Sequence, residues 1–586
     1  MSKRWKLGLA TICLILILVQ VRFMMKPLSQ NTLENKPWND VKPIKTSTNR
    51  RKQSILYGQD EFSSQLPKLQ HTFSPEPIEY AKLREKRRLA IKSSFLHGWN
   101  GYKTYALGHD ELKPLTNKTH DPFGGWGATM VDALSTLLVM DLEDELKSVI
   151  DHVQRIDFNV DEDVSVFESI IRYLGGFISA YDLSDQKYPI LLTQAQRLAN
   201  VLLPAFDTPS GLPTHLWNPA RNMSFYQDTL IAEAGTVQLE LMMLSQFTQN
   251  PIYTQKAQAI TDLLDNMGYE HGMYIRGLYP TSLDVEKGRF RDDTTTFGAM
   301  GDSAFEYLLT DGKIPQYGRM YLDSIRSMKQ HMLRQIPGYD MLLLPPYDTF
   351  RQKAENSMDH LTCFVPGMLA MGSKTFNEPE DMDIAKGLLE TCVFMYRTTK
   401  TGLSPENWYI SENERYNPIT YNKTRTELER ARDWWYDDDE IPTVQKTRKK
   451  QTTEYDINYK LPQVRSRPSS LFFGDERYIL RPETVESLFI LYRITGDQKY
   501  QEYGWEIFQA IDKWCKTKSA FAAFQNVDSD IETPEDNQID SMESFLYAET
   551  FKYLYLLFSS PNMISLDKFV FNTEAHPFVR RHWHWA

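Results

Sequence analysis

Cysteine is scarce in this chain, with four residues in 586. None forms a C-x-x-C pair, which removes zinc-ribbon and thioredoxin-like chemistry. Excess positive charge is missing too. Lys and Arg total 66 against 77 Asp and Glu, a formal net charge of −11, so the basic face that nucleic acid demands is absent and nucleic acid is excluded as a partner. The common catalytic signatures are absent as well: no HExxH, no GxSxG, no P-loop and no glycine-rich dinucleotide fingerprint. Convincing strand alternation is rare. What remains is helical apolar periodicity and carboxylates placed inside it.

Long hydrophobic runs are confined to the N-terminus. Lys3, Arg4 and Lys6 precede an apolar stretch from Leu7 to Val21, broken only by Thr11 and Gln20, with Arg22 and Lys26 close behind. No small-residue cleavage site follows. This pattern predicts a cytosolic tail over 1–6, an uncleaved signal-anchor helix over 7–25 and a luminal body; a cleaved signal peptide is the alternative, and either places the body in the secretory pathway. Residues 26–78 are polar, with scattered Pro, Ser, Asn and Lys, and predict a disordered stem. Cys363, Cys392 and Cys515 lie in the body, so one pair and one spare thiol fit an oxidising lumen. Three N-x-S/T sequons, at Asn117, Asn222 and Asn422, fit a luminal surface.

From residue 79 to 586 the chain predicts an all-α body. One segment type recurs seven times: a turn residue, a carboxylate, then a strongly apolar helix. The copies start near Gly124, Phe167, Ala232, Gly301, Met358, Arg481 and Met542. Helices apolar on nearly every side must be buried, and amphipathic helices lie between them. Two concentric layers follow, with the N-terminal ends of the inner helices around one mouth. A polar surface insertion at about 410–475, containing ARDWWYDDDE and KTRKK, interrupts the pattern.

An acid in the first turn of a helix is ordinarily a cap. Several of them entering buried helices are costly unless they serve a site. Glu483 and Glu486, in RPETVE, share a helix face. Glu543 and Glu549 bracket another buried helix, Glu168 precedes Arg172 by four, Asp302 shares a helix with Glu306, and Glu406 follows Ser404-Pro405, a helix-start signature. Crowded carboxylates can hold a hard cation such as Ca²⁺. They can also divide into an acid and a base, because they push one another's pKa values apart. Glycoside hydrolysis needs that pair.

FESIIRYLGGFISAYDL, GDSAFEYLL, MDHLTCFVPG, GLSPE, LRPETVESLFILYRITGD and FNTEAHPF, in order from about Phe95 to Phe578, together resemble the class I α-mannosidases, glycoside hydrolase family 47. The resemblance implies an (αα)₇ barrel and inverting removal of α-1,2-linked mannose from high-mannose N-glycans. It implies one Ca²⁺ at the barrel floor, bound directly by Thr573, with Glu486, Glu549 and Glu574 acting through water. Glu168 is the implied general acid, acting through a water, and Glu483 the implied base, with Asp302 and Glu406 as further acidic positions sharing the assignment of the acid. Arg172, Glu233, Met300, His360, Arg481, Phe545 and Glu549 are the implied substrate-binding residues, and Cys363 and Cys392 the implied disulfide. Family members that remove one mannose tend to carry Arg where this chain has Met300, so Met300 implies removal of several. The expected location is the membrane of the endoplasmic reticulum or Golgi, as a single-pass type II protein. The rival is a weakly active relative that recognises mannose and routes misfolded glycoproteins to degradation; the presence of every matched acid favours an enzyme.

Overall fold

A computed structural model describes residues 67–310, 314–435, 455–457, 461, 466–530 and 532–580. Two kinds of helix alternate along it, and their sequences explain the difference. The Glu143–Val153 helix buries only Leu146, Val149 and Val153, a single stripe at helical spacing. The Glu483–Thr495 helix buries every residue from Glu483 to Ile494. It ends at Gly496, whose φ of 73° supplies the left-handed stop.

The buried helices are Ala128–Asp132 with Leu134–Val139, Gly175–Leu183, Gln238–Thr248, Asp302–Thr310, Val365–Phe376, Glu483–Thr495 and Phe551–Leu557. Each touches the next in chain order, and the turn Leu546–Thr550 leading into the last touches the first. The outer helices are Ile78–Tyr105, Glu143–Val153, Pro189–Leu202, Ile252–Asn266, Pro315–His331, Pro379–Thr398 and Lys499–Trp514. Six of these pack on the buried helix just before them, and Ile78–Tyr105 packs on the last one. Proline at the first turn opens Pro189–Leu202, Pro315–His331 and Pro379–Thr398, where its missing N–H costs nothing. The seven apolar segments of the sequence are thus seven buried helices, alternating with seven amphipathic ones among the described residues.

Strands are more numerous than the sequence suggests, although each has only two to four residues. They form two- and three-stranded antiparallel sheets in the connections. One corrects a local expectation: Ser404-Pro405-Glu406 opens the strand Asn407–Ile410 rather than a helix, and that strand lies between Ser357–Asp359 and Leu471–Phe473. Trp408 and Ile410 point into the core, so the local period is two. The insertion carries this sheet's third strand and the helix Pro418–Trp435; its KTRKK run lies outside the described residues.

The anchor expected at 7–25 also lies outside the described residues, among which no helix is long and apolar enough to cross a membrane. The last part of the expected stem is attached to the body. The backbone N–H groups of Leu69 and Gln70 donate to Asp567 at 2.7 and 3.0 Å, and that of His71 donates to the Arg493 carbonyl at 2.7 Å. The implied disulfide is present: Cys363 and Cys392 are bonded, with Cα atoms 6.0 Å apart, and Cys515 is free and buried.

Candidate active site

A cavity of about 300 Å³ gathers the mouths of the buried helices. Its walls include Glu168, Arg172, Glu233, Met300, Asp302, Arg481, Glu483, Glu486, Phe545, Glu549, Thr573 and Glu574. Twelve residues singled out in the sequence, spread over four hundred positions, therefore line one space. His360 and Glu406 stand just behind the wall and grip residues in it. Glu306, Ser303, Leu361 and Phe364 also line the cavity and were not among the candidates. Glu306 was within reach, since it lies one helical turn beyond Asp302 and so faces the same way.

Local structure explains how each group arrives. Glu168 ends a short turn, Val166–Glu168, capped by Ser165, whose hydroxyl accepts from the Glu168 N–H at 3.2 Å. The chain then widens into a π-helical turn, Ser169–Leu174, a local feature common at functional sites. Arg172 on that turn donates from Nε to Glu168 at 2.7 Å and from Nη1 to Ser544 at 3.0 Å, and also bonds Glu574. Its guanidinium lies 5.0 Å from the Phe123 ring centre and 5.9 Å from that of Phe545. Burial opposes its charge, but Glu168, Glu574 and Asp132 keep it firmly protonated.

On the opposite wall, Glu483 opens its helix beside Pro482. Its Oε2 lies 2.8 Å from His360 Nδ1, and its Oε1 lies 3.7 Å from Arg481 Nη1. His360 is fully buried, with its other nitrogen 2.8 Å from the Tyr396 hydroxyl and 3.2 Å from that of Thr484. Arg481 Nε donates to Glu406 at 2.8 Å, and its guanidinium lies 5.7 Å from the Phe545 ring centre. Burial works to raise the Glu483 pKa, yet the His360 hydrogen bond and the Arg481 charge hold it below the ordinary value. Asp302 takes the opposite course. Burial lifts its carboxyl to about 7, with Asp359 and Glu483 adding to the effect against one bond from the Ser303 N–H. Burial also raises Glu406, against Arg481 and His360.

The floor is the hairpin between Phe569–Phe571 and Pro577–Val579. Asn572 shapes its tip: Oδ1 accepts the N–H groups of Glu574 at 3.1 Å and His576 at 2.7 Å, while Nδ2 donates to the Ile171 carbonyl at 3.0 Å and to Glu240 at 2.8 Å. This is the local side-chain-to-backbone turn that Asn favours. It presents Thr573 to the cavity, whose walls there include Glu306, Glu486, Glu549 and Glu574. Burial raises all four carboxyls, and all but Glu574 are raised further by neighbouring glutamates on this floor or by Asp302 and Glu483; Glu306 reaches about 8. Deeper still, Lys552 donates to the Ala575 carbonyl at 2.6 Å, and its ammonium is brought down to about 7 by burial. Fully buried His576 lies 3.3 Å from Asp132 and is lowered to about 4, first by burial; it is a packing residue.

Glu233 faces the cavity from the start of Ile231–Ala234. It accepts from the Leu230 N–H at 3.1 Å and lies 2.6 Å from His215 Nδ1. Met300 sits at the mouth, half exposed, with a φ of 74°.

Comparison with known proteins shows the family. Residues 94–580 match Glycosyl hydrolase family 47, and the chain belongs to that family. It is 36% identical over 84% of its length to a mannosyl-oligosaccharide 1,2-alpha-mannosidase of Arabidopsis thaliana, covering 78% of that protein. It is likewise 36% identical over 84% of its length to the endoplasmic reticulum mannosyl-oligosaccharide 1,2-alpha-mannosidase of Homo sapiens, covering 64% of it. Among solved structures, the alpha-1,2-mannosidase from Trichoderma reesei superposes with a TM-score of 0.71 at 30% identity, over 85% of this chain and 99% of that one.

Proposed function

We propose that this chain is an inverting, calcium-dependent exo-α-1,2-mannosidase that trims high-mannose N-glycans. The observation that carries the reading is the division of charge within one cavity: Glu483 is held ionised while Asp302 is held protonated up to about pH 7. Inverting glycoside hydrolysis needs one carboxylate to take a proton from water and one acid to supply a proton to the leaving oxygen. Glu483 fits the base, because His360 and Arg481 fix both of its oxygens. Asp302, the carboxyl that keeps its proton, fits the acid in this geometry; the family resemblance implies Glu168, acting through a water, in that role, and Glu406 is the further acidic position. Phe545 supplies an aromatic wall to the cavity, with the Arg172 and Arg481 guanidinia each within 6 Å of its ring centre.

The floor residues fit calcium. They offer oxygen donors alone, and the crowded carboxyls of Glu306, Glu486, Glu549 and Glu574 are in the electrostatic condition that a divalent cation relieves. Among the described residues no three Asp, Glu, His or Cys side chains form a ready metal cage; the family resemblance assigns Thr573 as the direct ligand, with Glu486, Glu549 and Glu574 acting through water. Bound there, the cation would fix waters and sugar hydroxyls at the base of the cavity. The closed sequence of contacts among the buried helices supports an (αα)₇ barrel. The basic-flanked apolar run at 7–25 supports a type II anchor in the endoplasmic reticulum or Golgi membrane.

The test is a timed digest of a complete high-mannose N-glycan, followed by mass, with and without a chelator. Stepwise hexose loss that stops on chelation and returns with Ca²⁺ is the expected result. No loss from folded, calcium-replete protein would refute the activity and favour a mannose-binding sorting factor. Met300, half exposed at the mouth, supports removal of several mannoses. Met300→Arg should shorten the product series, and an unchanged series would remove that argument.

A further inference from the structure

The strand Asn407–Ile410 begins one residue after Glu406, whose carboxylate grips Arg481 in the cavity wall. Its inward side chain Trp408 is fully buried, while Tyr409, next along, turns outward and is 39% exposed. Directly across the strand pair stands Phe472, 52% exposed. The two rings lie nearly parallel, with centres 5.9 Å apart and planes 18° from one another. Single exposed apolar residues are ordinary. Here two large rings lie side by side in register on a rigid sheet, about 10 Å along the strand from Glu406 at roughly 3.3 Å per residue.

The chain next to this pair forms a polar cleft. Gly474 crosses so close to Tyr409 that a Cβ there would come within 2.6 Å of the ring and 2.5 Å of the Asn407 side chain. The close approach joins the aromatic pair to an open cleft of about 350 Å³ lined by Asp475, Glu476, Arg477, Gln525 and Asn526. The Asp475 carbonyl accepts the N–H groups of Glu406 at 3.0 Å and Asn407 at 3.3 Å, so cleft, ring pair and catalytic wall are one bonded unit. Planar rings beside carboxylate, amide and guanidinium groups match the chemistry of a pyranose, which has one apolar C–H face and a rim of hydroxyls.

We propose that Tyr409, Phe472 and the adjoining cleft form an outer saccharide subsite that holds a mannose arm of the glycan while another arm is cleaved. This rests on the reading of the chain as a glycan-trimming enzyme. A catalytic cavity of about 300 Å³ sits at the low end of ligand pockets and takes only the terminal sugars, so the rest of a branched oligosaccharide lies outside it. A protein partner is the weaker fit, because two rings fall far short of the roughly 1,000 Å² that a stable protein interface needs.

The test compares two substrates, a complete high-mannose N-glycan and methyl α-1,2-mannobioside, which is too short to reach the platform. The variants are Tyr409→Ala, Phe472→Ala and the conservative Tyr409→Phe, with thermal melts to verify folding. The measured quantity is the KM for the glycan divided by the KM for the bioside. Loss of one stacking face should raise that ratio about 3- to 10-fold, with kcat on the glycan held and Tyr409→Phe close to the parent. An unchanged ratio in both alanine variants, or a rise of both KM values together, overturns the subsite. A parent that cleaves neither substrate refutes the underlying activity instead, and the subsite's role in catalysis with it.

Discussion

Replacing Glu483 by Gln removes one charge from the cavity and almost no volume. The amide can still meet His360 Nδ1, which lies 2.8 Å from the present carboxylate. Arg481 is not left as an unpaired buried cation, since Glu406 accepts from its Nε at 2.8 Å. Folding should therefore survive, with a stability change of about 1–2 kcal/mol. Catalysis should not. A positioned general base contributes about 10²- to 10⁴-fold, or about 3–5.5 kcal/mol of barrier, and an amide cannot take a proton from water. Loss of the Glu483 charge should also lower the pKa values of Asp302, Glu486 and Glu549, each of which it now raises. The assay is kcat for mannose release across pH, alongside a thermal melt. A folded Glu483→Gln protein retaining more than about one tenth of the parent kcat would refute the assignment of the base.

Further outcomes follow from other residues. Asp302 has its folded pKa raised from 3.8 to about 7, so the native state keeps a proton that the unfolded chain loses. Its ionisation therefore subtracts stability as pH rises from about 4 to about 7, and Asp302→Asn should gain melting temperature relative to the parent above pH 7 but not near pH 4; equal shifts at both pH values would contradict the sign. Separating Cys363 from Cys392 by Ser substitution frees a loop of 29 residues and should cost about 3–4 kcal/mol by chain entropy, measured as denaturant midpoint; a change below about 1 kcal/mol would show that packing alone closes this loop. Asn117 and Asn222 are exposed, while the side-chain oxygen of Asn422 is buried on the Pro418–Trp435 helix. Peptide mapping of secreted protein should find glycans on the first two and an unmodified Asn422, and occupancy of Asn422 alone would be the contrary result.

The helical layers were legible because burial on every side leaves a strong mark: Val485 to Ile494 contains few polar residues, whereas Glu143–Val153 shows a single apolar stripe. Short strands leave almost none. Asn407–Ile410 has too few residues for alternation to stand out, and Ser404-Pro405-Glu406 imitates a helix start so well that only the pairing with Met358 and Phe472 decides the matter. The cavity acids were legible because a charge at the head of an apolar helix needs a reason. Glu306 was seen as the companion of Asp302 and left out of the site, although four residues along a helix is one turn. Leu361 and Phe364 carried no signal, since an apolar residue lining a cavity looks like any other core residue. The support that Asn572 gives the floor was hidden because its partners, Ile171 and Glu240, lie hundreds of positions away.

The contact between the turn Leu546–Thr550 and the first buried helix has a consequence for biosynthesis. A ribosome delivers Ala128–Val139 long before Leu546–Leu557, and the hairpin bearing Thr573 and Glu574 later still. Until those arrive, the inner faces of the earlier helices lack their final neighbours, and the carboxylates of Glu483 and Glu486 have no completed floor to face. Domains of this size pass through intermediates with exposed apolar surface, and here that exposure lasts for most of translation. The nascent chain should thus depend on chaperones until its final segment is released, and the catalytic cavity, assembled from both ends of the body, should be the last feature of the molecule to mature.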